Sequence, residues 1–154
     1  MRCVQSSAST APVRSVAGVG GNLGVPLGEV LVISWLTGHA DIECCDVTTV
    51  GRRSGRPHEI EIWFGAIDDT MYLISGNGPT ADWYRNALAE PRVTVRLAGE
   101  VRTGVARDVT DPDERRRAGD LMGGKYSWDG DASIGLTRQA WCYEVPVLAI
   151  EQWQ

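Results

Sequence analysis

The chain is 154 residues long, 43% of its residues are hydrophobic, and its formal net charge at pH 7 is −5. This length suits one globular domain, while the acidic balance argues against nucleic acid as the main partner, because domains that bind nucleic acid present a broad basic face. No apolar run approaches the roughly 20 residues that a membrane-spanning helix requires, so we expect no stable membrane insertion.

The N-terminal stretch, residues 1–28, is rich in glycine, alanine, serine and valine. It lacks the continuous apolar core of a secretory signal, and its glycines would break a helix. We therefore expect a flexible arm at residues 1–28, one domain at residues 29–154, and a cytoplasmic protein. The apolar run EVLVISWL at residues 29–36 is either the end of a helix or a strand, since its periodicity does not decide between them.

Three strands are predicted next, at residues 42–50, 58–67 and 71–75. The first is rich in β-branched residues, and the second alternates acidic and apolar side chains, as a half-buried strand does. The breaker cluster GNGP follows the third strand. A helix is then expected at residues 80–90, with Thr80 as its N-cap and Pro91 ending it.

The second half of the domain begins with two predicted strands, at residues 92–97 and 100–109, joined by a two-residue hairpin turn. Asp111 and the proline that follows it predict the start of a helix that runs to about Met122. Residues 123–138 are expected to form a loop. The run WCYEVPVLAI at residues 141–150 reads as a last strand, interrupted by Pro146.

The order of these elements predicts a mainly β (α+β) fold. Short connections favour an antiparallel sheet, and about six strands around one core favour a small barrel with two or three flanking helices. The G-x-G-x-x-G fingerprint is absent, so nothing indicates a Rossmann fold. The four cysteines form no CxxC pair and the two histidines do not lie at metal-ligand spacing, so no metal site is predicted.

The segment GRRSGRP, between the first two strands, places three arginines in one turn of an acidic protein. It is either a solvated basic hairpin or an anion cradle. In the cradle, the two glycines would turn backbone N–H groups toward a ligand, Ser54 would add a hydroxyl, and the arginines would offer bidentate donors to phosphate or carboxylate.

Two further segments could carry chemistry. ISGNGPTADWYRN is either a loop before a helix anchored by aromatic residues, or a bend whose backbone N–H groups bond a polar heterocycle while Trp83 packs on it. GGKYSWDGD is either a lid that stacks on a planar substrate or ordinary turn chemistry. No catalytic dyad is visible, and Glu59 and Glu61 are more typical of a solvated edge than of a glycosidase pair. Such a pattern indicates that a cofactor does the chemistry.

The segments TTVGRRSGRPHEIEIWF, YLISGNG, ADWYRNALAEPRVTV and DVTDPDERRR, in this order, resemble the deazaflavin (coenzyme F420)-dependent nitroreductase family of actinobacteria. The resemblance extends over roughly residues 41–150. It implies a split β-barrel fold, related to flavin-binding barrels of the pyridoxamine-phosphate oxidase type. It also implies an oxidoreductase in which reduced F420 delivers a hydride to a quinone, a nitro compound or another electron-poor small molecule.

The same resemblance implies where the cofactor binds. The GRRSG turn would hold the phosphate and oligoglutamate tail of F420, and the next strand, the glycine bend and the helix would flank the ring. The implied cofactor-binding residues are Arg52, Arg53, Ser54, Gly55, Arg56, His58, Ile60, Ile62, Trp63, Phe64, Ser75, Gly76, Asn77, Gly78, Trp83, Tyr84 and Asn86. In the later loop, Tyr126 and Trp128 are the catalytic candidates, with Tyr126 as a proton donor.

Two alternatives remain at this point. The arginine-rich turn would also suit the ribityl phosphate of FMN in the same barrel, and a non-catalytic protein that binds a cofactor or an apolar ligand would need no acid–base residues. A homodimer is also predicted, because six tryptophans in a chain of this size suggest more aromatic area than one small core needs.

Overall fold

The computed structural model describes residues 34–154, which form one curled antiparallel sheet with helices packed on it. The predicted arm at residues 1–28 and most of the apolar run at residues 29–36 lie outside the described residues. The sheet strands are β1 (Cys44–Val50), β2 (Pro57–Trp63), β3 (Gly65–Ile67), β4 (Thr70–Ile74), β5 (Arg92–Leu97), β6 (Glu100–Asp108) and β9 (Val147–Glu151). The short strands β7 (Gly130–Asp131) and β8 (Leu136–Thr137) pair separately, and the helices are α1 (Asp82–Ala89), α2 (Pro112–Lys125) and α3 (Arg138–Tyr143).

The strand order is what makes this sheet a barrel. It runs β2-β1-β5-β6-β9-β4-β3, and every pair is antiparallel. The two edge strands, β2 and β3, are consecutive in the chain and are separated only by Phe64. One residue spans less than about 4 Å, so the sheet has to curl until its edges meet at this corner. The fold is therefore a split β-barrel, as the sequence predicted.

Two apolar clusters lie on the two sides of the sheet. One fills the barrel and includes Val47, Phe64, Leu73, Val95 and Leu148, all of them fully buried. The other lies between β4 and β9 and the helices α2 and α3. The inward residues of β1 and β5 alternate with more exposed ones, which is the pattern of strands that bury one face.

Most predicted elements are confirmed to within a few residues. The hairpin between β5 and β6 turns at Ala98 and Gly99, which both have positive φ, as a type I′ turn requires. Asp111 caps α2, since its side chain accepts a hydrogen bond from the N–H of Asp113. The predicted strand at residues 58–67 is two strands, because the chain bends at Phe64 to turn the barrel corner.

Three predictions are wrong. Thr80 is not the N-cap of α1: it lies in a short 3-10 turn, and Ala81 occupies the cap position. Residues 123–138 are not a loop throughout, since they contain the end of α2 and the β7–β8 hairpin. The segment 141–150 does not begin as a strand. Thr137 caps α3, which buries Trp141 and Cys142, and β9 starts only after Pro146. A run that is apolar except for Glu144 has no period that could have located this change.

None of the helices among residues 34–154 is long and apolar enough to cross a membrane.

Candidate functional site

A cavity of about 410 Å³ lies where β2 faces the end of β4, and it is large enough for a small-molecule ligand. The side chains of the α1, α2 and α3 helices and the β7–β8 hairpin close it. Six of the residues predicted to bind a cofactor line it: Ile60, Ile62, Trp63, Gly76, Asn77 and Trp83. The sequence therefore located one wall of the cavity, formed by β2, the glycine bend and the start of α1.

Gly76 brings only backbone atoms to this wall, because it has no side chain. A Cβ atom at this position would lie 3.3 Å from Leu136 and 3.7 Å from Trp141. These two side chains line the cavity opposite the bend, so a larger residue at position 76 would narrow the cavity. The absence of a side chain at Gly76 thus keeps this part of the cavity open.

Seven other residues line the cavity, and none of them was a predicted site residue. They are Glu61, Ile74, Met122, Asp131, Ile134, Leu136 and Trp141. Five of them are more than 40 residues away from the glycine bend in sequence and reach the cavity only because α2, α3 and the hairpin pack there. Glu61 was interpreted as part of a solvated edge and Asp131 as part of a turn. Because both carboxylates line the cavity, they could also contact a ligand.

Aromatic side chains hold the shape of the cavity. Trp63 stacks on Tyr126, with ring centroids 4.4 Å apart and planes within 7° of each other, and meets the ring of Trp141 edge-on at 5.8 Å. Trp128 lies behind this pair, 5.3 Å from Trp141 and 6.2 Å from Trp63. Neither Tyr126 nor Trp128 lines the cavity itself. They support the two tryptophans that do.

The predicted proton donor, Tyr126, has its hydroxyl bound to the backbone. Its Oη shares a proton between the carbonyl oxygens of Glu43 (2.6 Å) and Phe64 (3.0 Å) and accepts from the N–H of Phe64 (3.1 Å). Burial raises the pKa of this phenol well above its ordinary value. We therefore do not propose Tyr126 as a proton donor, since the structure gives it a structural role at the barrel corner.

Lys125 joins the same corner from the end of α2. Its Nζ donates to the carbonyl oxygens of Ile42 (2.7 Å) and Phe64 (2.8 Å) and lies 3.8 Å from the centroid of the Phe64 ring. Burial lowers the pKa of this amine from 10.5 to about 8. Phe64, predicted to bind the cofactor, is fully buried in the barrel core.

The arginine-rich turn lies between β1 and β2, and its backbone is bonded within the protein. The N–H of Gly51 donates to Arg56 O and that of Gly55 donates to Gly51 O, each at 2.8 Å, while the N–H of Arg56 donates to Ser54 Oγ at 3.2 Å. Gly55 has a φ of +68°, a conformation that other residues rarely adopt. The N–H groups of Gly51, Gly55 and Arg56 are therefore used within the turn and are not available to a ligand.

The three arginines of the turn are not equivalent. Arg53 and Arg56 are exposed, and within the described residues no acceptor is recorded for their guanidinium groups. Arg52 is partly buried and bonded to Asn86 and Asp82 of α1. His58 is exposed beside the turn, with Nε2 3.5 Å from Ser54 Oγ. Of the three arginines in the turn, Arg53 and Arg56 are thus the two whose side chains face solvent.

The other predicted site residues are held inside the fold. Tyr84 is buried in the barrel core, where its hydroxyl donates to Asp108 at 2.7 Å. Ser75 is buried and donates to the carbonyl oxygen of Gly78, also at 2.7 Å, so it shapes the glycine bend from within. Asn86 is 3% exposed. These residues position the wall of the cavity and do not line it.

Comparison with known proteins places this geometry in context. Residues 40–127 match the family model described as F420H(2)-dependent quinone reductase. This segment contains the arginine-rich turn, the glycine bend and α1, and ends at the aromatic residues behind the cavity. No curated protein matches the chain significantly in sequence.

Solved structures of the same fold are similar to the chain at low sequence identity. An F420-H2 dependent reductase superimposes with a TM-score of 0.55 at 22% identity, covering 71% of this chain and 94% of that one. A protein whose structure is a domain-swapped dimer has the same TM-score and identity, with coverage of 71% and 80%. A heme storage protein from Vibrio cholerae has a TM-score of 0.54 at 17% identity, with coverage of 73% and 82%. These likenesses establish the fold.

Proposed function

The chain belongs to the F420H(2)-dependent quinone reductase family, and from this premise we propose that it transfers a hydride from reduced F420 to a quinone or another electron-poor small molecule. Family membership makes the chain an oxidoreductase with coenzyme F420 as its cofactor. One observation supports the proposed hydride transfer in particular. The strand β2 lines a largely apolar, aromatic cavity of about 410 Å³, and two exposed arginines, Arg53 and Arg56, lie just before its first residue.

The residues present fit a ligand that combines a flat heterocycle with a polyanionic tail. The cavity wall at Ile60 and Ile62 is apolar, and Trp83 adds an aromatic face. Arg56 lies immediately before β2 and four residues before Ile60, which corresponds to roughly 13 Å of extended chain. A tail that leaves the cavity along β2 therefore reaches Arg53 and Arg56, whose guanidinium groups bind phosphate or carboxylate as bidentate donors.

Each part of the site then has a defined task. When bound, F420 supplies the hydride. Ile60, Ile62 and Trp83 hold the apolar faces of its ring, the backbone at Gly76 and Asn77 meets the polar edge, and the two exposed arginines hold the tail. Because positioning alone lowers the barrier of a transfer between two bound molecules, no acid–base residue is needed for the hydride step.

The rest of the cavity suits an apolar electron acceptor. Trp141 and Leu136 form its floor, and Ile134 at the tip of the β7–β8 hairpin is 55% exposed while it lines the cavity. An exposed isoleucine at a cavity mouth is stabilised when a planar apolar molecule covers it. Two carboxylates, those of Glu61 and Asp131, also line the cavity and favour an uncharged acceptor over an anionic one.

A direct assay tests the proposal. Purified protein is mixed with reduced F420, and separately with NADPH plus FMN, against a panel of quinones and nitroaromatic compounds, and absorbance follows oxidation of each cofactor. We expect oxidation with F420 and a quinone that depends on the protein. If only FMN supports turnover, the flavin alternative replaces the proposal. If neither cofactor binds, the enzymatic proposal fails.

We also propose that two chains associate as a homodimer. Val101 and Val105 of β6 are 59% and 38% exposed and lie on one face of their strand, because residues four apart in a strand point the same way. The fold allows association, since a structurally similar protein is a domain-swapped dimer. The cytoplasmic location expected from the sequence stays a prediction.

A further inference from the structure

The arginine-rich turn and helix α1 are joined by one buried side chain, that of Asn86. Its Oδ1 accepts two hydrogen bonds from Arg52, one from the backbone N–H at 3.1 Å and one from Nη1 at 2.8 Å. Its Nδ2 donates to the hydroxyl of Thr49 at 3.4 Å. Asn86 is 3% exposed and Thr49 is 0% exposed. Asn86 therefore uses its amide on the protein and does not reach a ligand.

Arg52 completes this link from the side of the turn. Its Nη2 donates to Asp82 at 3.0 Å, and its side chain is 17% exposed, whereas that of Asp82 is 84% exposed. The guanidinium group thus has an acceptor on α1 at each of its two terminal nitrogens. Its neighbours Arg53 and Arg56 are exposed. One arginine of the cluster faces the helix, and the other two face solvent.

The helix end of this link carries a wall of the cavity. Asp82 and Asn86 flank Trp83 on the first turns of α1, and Trp83 lines the cavity. The place of the turn relative to Trp83 is therefore set by the contacts of Arg52 with Asn86 and Asp82. A ligand that binds both regions gains affinity only if the distance between them is fixed in advance, since a loose connection would have to be ordered on binding.

We propose that Arg52 and Asn86 are positioning residues that hold the anion-binding turn in register with Trp83, so that the ring and the tail of one ligand are bound together. This inference rests on the proposed function, and it replaces the expectation that Arg52 and Asn86 contact the cofactor. The inference assigns two roles within the arginine cluster: Arg53 and Arg56 bind the ligand, and Arg52 holds them in position.

The test compares two ligands by fluorescence titration. One is F420, and the other is the same deazaflavin with its ribityl chain but without the phosphate and glutamates. The dissociation constant of the tail-less deazaflavin divided by that of F420 measures how much the tail contributes to affinity. We expect Asn86→Ala to reduce this ratio about tenfold while the dissociation constant of the tail-less deazaflavin changes less than twofold. A merely structural role for Asn86 would affect both ligands equally.

Thr49→Val is the matched control. It removes a partner of the same buried amide but leaves the contacts between Arg52 and Asn86, so the ratio should stay within twofold of that of the wild type. The loss of F420 affinity in the double variant Asn86→Ala, Arg53→Ala should be smaller than the sum of the losses in the two single variants, because Arg53 no longer faces the tail once the turn has moved. If Asn86→Ala does not fold, Asn86→Ser is titrated in its place, and the midpoint of thermal unfolding of each variant is recorded.

The outcomes separate the two proposals. If wild-type protein binds neither ligand, the proposed function fails and this inference fails with it. If wild-type protein binds both and the ratio is unchanged in the Asn86 variants, or both affinities fall equally, only the inference is overturned.

Discussion

At the scale of single residues, Lys125 and Tyr126 belong to a segment that the sequence suggested as a lid, but their side chains bind the backbone at the corner of the barrel. Both side chains reach the backbone of Phe64, which turns the barrel corner between β2 and β3. They also bind the carbonyl oxygens of Ile42 and Glu43, just before β1. The end of α2 thereby fixes two strands beside the cavity.

The role of Tyr126 can be tested by Tyr126→Phe. This substitution removes the acceptor of the buried N–H of Phe64 and the donor to the carbonyl oxygen of Glu43, so we expect the free energy of unfolding to fall by about 1–3 kcal/mol. Urea denaturation measures it. Tyr143→Phe is the control, because the hydroxyl of Tyr143 donates to an exposed carboxylate, that of Asp120, at 2.6 Å. A large fall in turnover of Tyr126→Phe without loss of stability would restore the proton-donor hypothesis.

The carboxylates at the cavity should select acceptors by charge. Asp131 accepts from the N–H and Oγ of Ser133 at 3.0 and 2.5 Å, and these hydrogen bonds hold its pKa below the ordinary value. Asn at position 131 retains an acceptor for that N–H and removes the charge. We expect Asp131→Asn and Glu61→Gln to raise kcat/KM for a sulfonated naphthoquinone by roughly two- to fivefold relative to its uncharged parent.

The uncharged quinone is the internal control of this experiment. Its kcat/KM should change little in either variant, because a neutral molecule has no net charge for a carboxylate to repel. If both quinones respond equally, the carboxylates do not select by charge.

At the scale of elements, the β1–β2 hairpin and helix α1 act as one unit. The hairpin turn carries the exposed arginines, and α1 carries Trp83. The bonds of Arg52 join the two elements. Local sequence patterns predicted both the hairpin and the helix. They did not predict how far apart the two elements lie in the folded protein.

The exposed arginines of the turn should account for the affinity of the tail. Arg53→Ala and Arg56→Ala should each weaken F420 binding about tenfold in a fluorescence titration, since a charged hydrogen bond is worth roughly 1.5–3 kcal/mol and exposure reduces this. Added salt should weaken wild-type binding as well. Arg116→Ala, which removes an exposed arginine from α2, is the control and should have no effect. Unchanged affinity in both turn variants would make GRRSGRP a solvated hairpin.

The end of α2 should make stability depend on pH. The pKa of Lys125 is lowered from 10.5 to about 8 in the folded protein because the amine is buried. The unfolded chain binds more protons between these values, so this group's contribution to stability rises as pH increases from about 8 toward 10.5. We expect the difference in free energy of unfolding between wild type and Lys125→Met to shift in favour of wild type from pH 7 to pH 9. A constant difference would contradict it.

At the scale of the whole molecule, the barrel explains why the cavity exists. The sheet is closed at the corner by a single residue, Phe64, and among residues 34–154 the strand β2 pairs only with β1. The side of β2 that faces β4 is therefore left for α1, α2, α3 and the small hairpin to enclose. A binding site results from this incomplete closure.

The outer face of the sheet leads to the prediction on assembly. Light scattering should give a mass near twice the 16.7 kDa of one chain, and Val101→Arg should lower it toward the monomer, because burying an unpaired charge is unfavourable. Leu88→Arg, at another exposed apolar position on α1, is the control. A monomer mass for wild-type protein at micromolar concentration would contradict the prediction.

The sequence by itself determined what depends on near neighbours in the chain. The cap at Asp111, the turn at Ala98 and Gly99, and the alternation along β2 are local, because backbone conformation and side-chain direction repeat over two to four residues. The arginine cluster and the glycine bend were visible for the same reason. The family resemblance, confirmed over residues 40–127, rests on such segments.

Only the tertiary structure decided which of these residues face a ligand. Met122, Leu136 and Trp141 come to the cavity from elements more than 40 residues away from the glycine bend, and no local pattern encodes that packing. It also turned Arg52 and Asn86 toward each other and Tyr126 toward the backbone of Phe64. A side chain has only a few bonding groups, so the partners that folding brings near it decide whether any of them is left for a ligand.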